Sequence, residues 1–223
     1  MSGLWSPLLL SLRIAIVATV VAALVAIPLA WVMARKRFVG KSVVEALITL
    51  PLVLPPTVIG FLIIMTFGAR GWVGHFLNEW FGYSIVFRFE GAVLAAAVVA
   101  LPLLYMPAKS AFGSIDREFE EIARLFGATT PQVFWHVSLP FARRGIASGL
   151  LLAFARALGE FGATLMVFGW QPRRVTLPVL VYAQYEQGEL LAASGAVVAL
   201  SVVSLVLMFA YNRSSLGRLD GSG

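Results

Sequence analysis

Leu8–Ala34 reads LLLSLRIAIVATVVAALVAIPLAWVMA, a long apolar run whose one charged side chain is Arg13. The hydrocarbon core of a bilayer is ~30 Å thick and is crossed by ~20 apolar residues of helix, so this run is long enough to span. Four others pass the same test: Val43–Phe67, Gly91–Phe112, Ile146–Gly169 and Leu190–Tyr211. All are too long for barrel strands and lack the strict alternation such strands carry. A secretory signal has one short apolar core, whereas here the first run is longer and four more follow. The expectation is an all-α polytopic membrane protein. Residues 1–223 form a single transmembrane domain of about five helices, spanning about 8–34, 43–67, 91–112, 146–169 and 190–211.

Composition agrees. The chain is 60% hydrophobic and 13% charged, where soluble domains run at ~45–50% and ~25%, and its mean hydropathy is +0.89. A water-soluble globule is excluded. The 17 Lys and Arg against 11 Asp and Glu are scattered between apolar runs rather than gathered on one face, which excludes nucleic acid as a partner. The absence of cysteine excludes disulfides, thiol catalysis and Cys-type zinc sites.

Basic residues set orientation. Arg35, Lys36, Arg37, Lys41, Lys109, Arg117, Arg124, Arg143, Arg144, Arg213 and Arg218 fall on one side of the five spans; Arg13, Arg70, Arg88, Arg173 and Arg174 fall on the other. The N-terminus is therefore expected outside and the C-terminus in the cytoplasm. Residues 68–90, rich in aromatics such as Trp72, Trp80 and Tyr83, read as an outer loop with a short interfacial helix. Residues 113–145 are the longest polar connection and lie on the cytoplasmic side.

No catalytic centre is visible. Gly40-Lys41-Ser42 ends like a phosphate-binding loop, but the glycine needed five positions before Gly40 is Arg35, so the chain itself is expected to bind no ATP and no other cofactor. His75 and His136 fall on opposite sides of the membrane and share no metal. Gly145 to Gly149 places Ser148 one position too late for a nucleophile elbow, and its glycines suit close helix packing.

Three segments carry information. In 113–145, Glu121, Ala123 and Gly127 sit on a short helix ended by Gly127, and a second turn opens at Pro131 and closes before Pro140. Ile122, Phe126, Phe134 and Trp135 are exposed there unless another protein, or the chain's own membrane domain, covers them. In span two, Pro51, Pro55 and Pro56 each remove a backbone donor, so the span is kinked or locally open. In span four, Arg156 and Glu160 lie ~15 and ~21 Å beyond Ile146 along a helix. Facing lipid, each would cost ~2.5–3.5 kcal/mol, so they are expected to pair and face inward, either shaping a cavity or gate or fixing the span as an internal ion pair. Gly145, Gly149, Gly159, Gly162 and Ala163 let a neighbouring helix approach, a twin subunit being one such neighbour. Thr66 and Thr164 either present hydroxyls to a passing anion or bond back to their own helix.

The spacing Glu121, Ala123, Gly127, Val137, Leu139-Pro140 resembles the conserved loop of binding-protein-dependent ABC importer permeases, departing at Ile122, where that family usually has Ala. Leu50-Pro51-Leu52-Val53-Leu54-Pro55-Pro56 and Ala155-Arg156-Ala157-Leu158-Gly159-Glu160-Phe161-Gly162-Ala163-Thr164 resemble the family's molybdate group. Sulfate permeases share part of the second stretch. The resemblance implies an import permease of a bacterial or archaeal plasma membrane for molybdate and its near-twin tungstate, with sulfate as the alternative. It implies a homodimer in the lipid membrane, two ATPase subunits holding ATP and Mg, and an external oxyanion-binding protein met by outer residues including Trp72, Trp80, Arg173 and Arg174, the two arginines serving either for that docking or as snorkelled anchors. Glu121, Ala123, Gly127, Leu139 and Pro140 would couple the permease to the ATPase. Arg156, Glu160, Gly162 and Thr164 are the candidate cavity or gate. An ion-coupled transporter or channel would instead show inverted repeats or a relay of intramembrane charges.

Overall fold

The computed structural model describes residues 2–171 and 174–216, which leaves Arg173 and Arg218 outside. Its described residues form helices joined by short connections: α1 (Ser2–Arg35), α2 (Lys41–Thr49), α3 (Pro56–Phe67), α4 (Trp72–Phe81), α5 (Phe89–Gly113), α6 (Arg117–Leu125), α7 (Thr130–Val133), α8 (Leu139–Leu158), α9 (Gly162–Phe168), α10 (Leu177–Glu186) and α11 (Leu190–Leu216).

α5 is the central post. Ala92, Ala95, Ala96, Ala100 and Ala108 on it are wholly buried, as are Ala15, Ala18, Ala26 and Ala30 on α1. A helix with alanine on its buried face lets neighbours approach closely, which is how helices associate where lipid removes any hydrophobic drive. α8 uses glycine for the same purpose. A Cβ on Gly145 would sit 2.5 Å from the Ala111 side chain, and one on Gly149 would lie 2.9 Å from that of Leu104. The neighbour these glycines admit is therefore α5 of the same chain rather than a twin subunit.

Among the described residues four helices are long and apolar enough to cross a membrane singly. The second span is a bent pair: Lys41–Leu52 and Pro56–Phe67 meet at 113°, a reversal rather than a kink. The 3-10 turn Leu50–Leu52 follows α2, and Pro56 opens α3. Pro55 lies in the break, with Pro51 in the 3-10 turn before it and Pro56 at the first position of α3, where missing donors cost least.

The fourth span also departs from the single helix expected over 146–169. α8 ends at Leu158, Gly159 to Phe161 are non-helical, and α9 resumes at Gly162. At its other end the helix starts earlier than expected. Helical structure is continuous over Thr130–Leu158, through a π-helical turn at Phe134–Ser138, so Pro140 does not close a separate turn. The Leu139 N–H reaches back to the Phe134 carbonyl; that shifted register lets Pro140 follow inside the first turn of α8 without a lost bond.

α4 is the short helix expected in 68–90. α10 was not anticipated. Its ten residues are ~15 Å long, too short to cross, and its Leu177 N–H bonds the buried Ser11 Oγ at 2.7 Å. Thr176 followed by Pro178 was the available helix-start signal.

Candidate functional site

Two places stand out: the meeting of the two broken spans and the end of the bundle that carries α6 and α7.

The breaks lie against each other. A Cβ on Gly162 would meet Pro56 Cβ at 3.2 Å and Thr57 N at 3.3 Å, and one on Gly60 would meet Met166 Cβ at 2.7 Å. α3 and α9 thus pack at backbone contact just beyond the prolines. Glu160 closes the second break. Its side chain is 1% exposed, and Arg156 NH1 lies 2.7 Å from Oε2. Its Oε1 accepts the Ala163 N–H at 2.8 Å, one of the donors a helix start leaves without an internal partner. Arg156 and Glu160 therefore pair across the end of a helix rather than along a continuous one. Gly162 and Thr164 are buried behind them, whereas Thr66 donates back to the Leu62 carbonyl at 2.8 Å. The far end of α9 is tied by the Phe87 N–H to the Val167 carbonyl and by Gln171 Nε2 to the Phe87 and Phe168 carbonyls.

At the other place the polar fastening is one the sequence reading missed. Glu120, 3% exposed, accepts from Arg35 Nε at 2.9 Å and from Ser138 Oγ at 2.7 Å. Arg35 NH1 also donates to the Ile115 carbonyl, and Trp31 Nε1 donates to Ser138 Oγ at 3.0 Å. One carboxylate thus joins α1, α6 and the π-helical turn. Attention fell on Glu121 because of its motif position; the signal for Glu120 was its place on the face opposite the solvent once Asp116 caps α6 through the Glu118 N–H. Glu121 is exposed, Ala123 and Leu139 are half-buried, and Pro140 is exposed. Gly127 has φ +86°, a left-handed turn that a side chain would strain.

The apolar residues of this end divide. Leu125, Phe126 and Trp135 are 86%, 88% and 62% exposed. Phe134 is not, contrary to expectation: it packs edge-on to Trp31 at 5.3 Å and beside Phe112. Phe134 and Trp135 are successive residues, and the ~100° a helix turns between neighbours carries the first ring inward and the second outward. α2 is held to α5 by Glu45, which pairs with Lys109 at 2.7 Å. Among the described residues no three His, Cys, Asp or Glu side chains converge as a metal site would require; His75 pairs with Glu79, and His136 Nδ1 lies 3.0 Å from the Gln132 carbonyl.

Comparison with known proteins adds a family, relatives in sequence and neighbours in fold. Residues 26–215 match the family described as binding-protein-dependent transport system inner membrane component. The chain is 39% identical over 208 residues to the molybdenum transport system permease protein ModB of Escherichia coli strain K12, covering 91% of each. It is 42% identical over 175 residues to ModB of Haemophilus influenzae, covering 78% of this chain and 76% of that one. The sulfate transport system permease protein CysW of Synechocystis is 36% identical over 199 residues, covering 85% and 72%. In fold, the chain is similar to one from a bacterial alginate ABC transporter solved with its alginate-bound periplasmic protein (TM-score 0.70, 20% identity, 98% of this chain and 80% of that chain). It is similar also to one from the MetNI methionine ABC transporter (TM-score 0.69, 18% identity, 94% and 93%). A chain of several apolar helices, broken where two spans meet and matched over most of its length, belongs to the family of binding-protein-dependent transport system inner membrane components.

Proposed function

We propose that this chain is the non-catalytic, membrane-spanning permease subunit of an ABC importer for molybdate, with tungstate as its near-twin substrate. The observation that carries the reading is the exposed pair Leu125 and Phe126 on a segment fastened to the spans through Glu120. Such apolar surface at a polar end of a membrane protein calls for a protein cover, and an ATPase subunit is the cover this family uses. Glu121, Ala123, Gly127, Leu139 and Pro140 form that docking segment. The ATPase holds ATP and Mg; this chain holds neither.

The same end carries Arg35, Lys36, Arg37, Lys41, Arg117 and Arg124, which supports its placement in the cytoplasm and the N-terminus outside. Two copies form the path, and the facing breaks, with Arg156, Glu160, Gly162 and Thr164, belong to its gate region. Freed carbonyls at a break are tolerated in a membrane where protein or a water-filled path covers them. At the opposite end Trp72 and Trp80, 79% and 73% exposed, are available with Arg174 to an external oxyanion-binding protein. Identity to the sulfate relative keeps sulfate as the second reading.

The test is uptake of labelled molybdate into proteoliposomes holding the permease, its ATPase and binding protein. Uptake that needs ATP, is competed by tungstate and ignores sulfate is expected. Competition by sulfate moves the substrate, and flux without the ATPase overturns the mechanism. Gly127→Pro is expected to abolish ATP-driven uptake while the spans stay folded.

A further inference from the structure

Two cavities lie end to end along α1. The first is a groove of about 570 Å³ between α1 and α8, walled by Val20, Ala23, Leu24, Leu150 and Phe154 and bordered at one end by Phe134 and Trp135. Its lining is apolar save for Thr19, whose hydroxyl is already bonded to the Ala15 carbonyl. The second, of about 370 Å³, lies at the end of α1 among Trp31, Arg35, Lys36, Arg117, Glu120 and Arg124, with Glu121 also on its wall. Phe134 lines the first cavity and Trp31 the second, and their rings meet at 5.3 Å where the two cavities adjoin.

The charges of the second cavity do not balance internally. Glu120 is engaged by Arg35 at 2.9 Å, with Arg124 at 3.9 Å. Lys36 and Arg117 have no carboxylate within ion-pair distance among the described residues, and Arg35 NH2 is buried without an acceptor. Four cations face two carboxylates, one of them spent. Along α1 the groove runs from Ile16 to Pro28, about 18 Å at 1.5 Å per residue, and Pro28 lies about 10 Å from Arg35, so the groove opens within the ~15 Å hydrocarbon of the leaflet on the Arg35 side and continues past the mid-plane. The cationic cavity begins three residues further on, at the level where the apolar run gives way to Arg35-Lys36-Arg37.

An apolar channel that leads towards surplus positive charge is complementary to one molecule with an acyl chain and an anionic head. We propose that the groove and the cavity together hold an anionic phospholipid of the leaflet on the Arg35 side, its phosphate among Lys36, Arg117 and Arg35 and one chain lying between α1 and α8. A basic pocket between membrane helices is the recognised form of such a site. Because the head would sit against Arg35 and Arg124, which hold Glu120, the lipid braces the fastening of α6 to α1.

The full-length permease, purified in detergent, is incubated with phosphatidylglycerol, with phosphatidylcholine of the same chains, or with glycerol phosphate, and bound species are counted by native mass spectrometry. Retention of phosphatidylglycerol about tenfold above phosphatidylcholine is expected, with that excess lost in K36Q/R117Q and kept in the charge-conserving K36R/R117K. Ala23→Trp, which fills the groove, is expected to lower retention of both lipids. Glycerol phosphate binding as well as the lipid would make this a free-anion site and overturn the proposal. So would equal retention of the two lipids, or an excess that survives K36Q/R117Q. Displacement of the bound lipid by the ATPase subunit would reassign the cavity to a protein contact.

Discussion

The two broken spans stop their helices by different means. Between α2 and α3 the ladder is interrupted by Pro51, Pro55 and Pro56, which have no N–H to give; the break is written into covalent structure and does not depend on any partner. Between α8 and α9 it is interrupted by Gly159 and held by Glu160, which offers one oxygen to Ala163 N–H and the other to Arg156. The first break is redundant and chemically silent, whereas the second rests on a single side chain. Where α3 and α9 meet, a fixed surface therefore lies against one that a single charge keeps in place.

The largest effect should come from that charge. Glu160→Ala leaves Arg156 without a partner and Ala163 N–H without an acceptor, and losing one member of a buried pair costs about 3–5 kcal/mol. The lower part of that range is expected because the Arg156 side chain keeps 31% of its exposure. Unfolding in mixed micelles measures it. Glu160→Gln retains an acceptor for Ala163 and should lose less; equal losses would assign the whole effect to charge.

Next is the seam between the breaks. Gly60→Val forces atoms against Met166 Cβ and the Ala163 backbone and should cost about 1–3 kcal/mol, the usual range for overpacking. A neutral result would mean that α9 shifts freely against α3. Gly127→Ala lies far from both breaks, and its left-handed φ should cost about 1–2 kcal/mol locally. Proteolysis of the 117–138 segment should quicken while micelle unfolding of the spans stays unchanged. The smallest effect belongs to Pro55→Ala. With Pro51 and Pro56 still present the turn should persist, and stability should move by less than about 1 kcal/mol.

The same contrast explains what was legible in the sequence. Proline announces itself, so the break in span two was readable from Pro51, Pro55 and Pro56, although their letters do not encode the 113° reversal. The break in span four hid inside an uninterrupted apolar run. Gly159 alone is tolerated in membrane helices, and only the reach of Glu160 back to a backbone N–H makes it a stop. The pairing of Arg156 with Glu160 was readable because a spacing of four brings side chains together even when the helix ends between them. Glu120 was passed over for its neighbour Glu121, since one position along a helix turns a side chain by about 100° and decides between core and solvent. Which glycines faced which helix was beyond reach too: small residues show that something approaches, and the assembled fold shows that it is α5 for Gly145 and Gly149, and α3 for Gly162.

The unbroken helical course of Thr130–Leu158, carried through the π-helical turn at Phe134–Ser138, joins into one element what the sequence divides into a loop and a span. Its fulcrum is where Gly145 and Gly149 bear on α5. Trp135 lies about 18 Å to one side of the midpoint between those glycines, and Leu158 about 16 Å to the other, at 1.5 Å per residue. With arms so nearly equal, a tilt of the helix about that contact would carry Trp135 and Leu158 through similar distances in opposite senses.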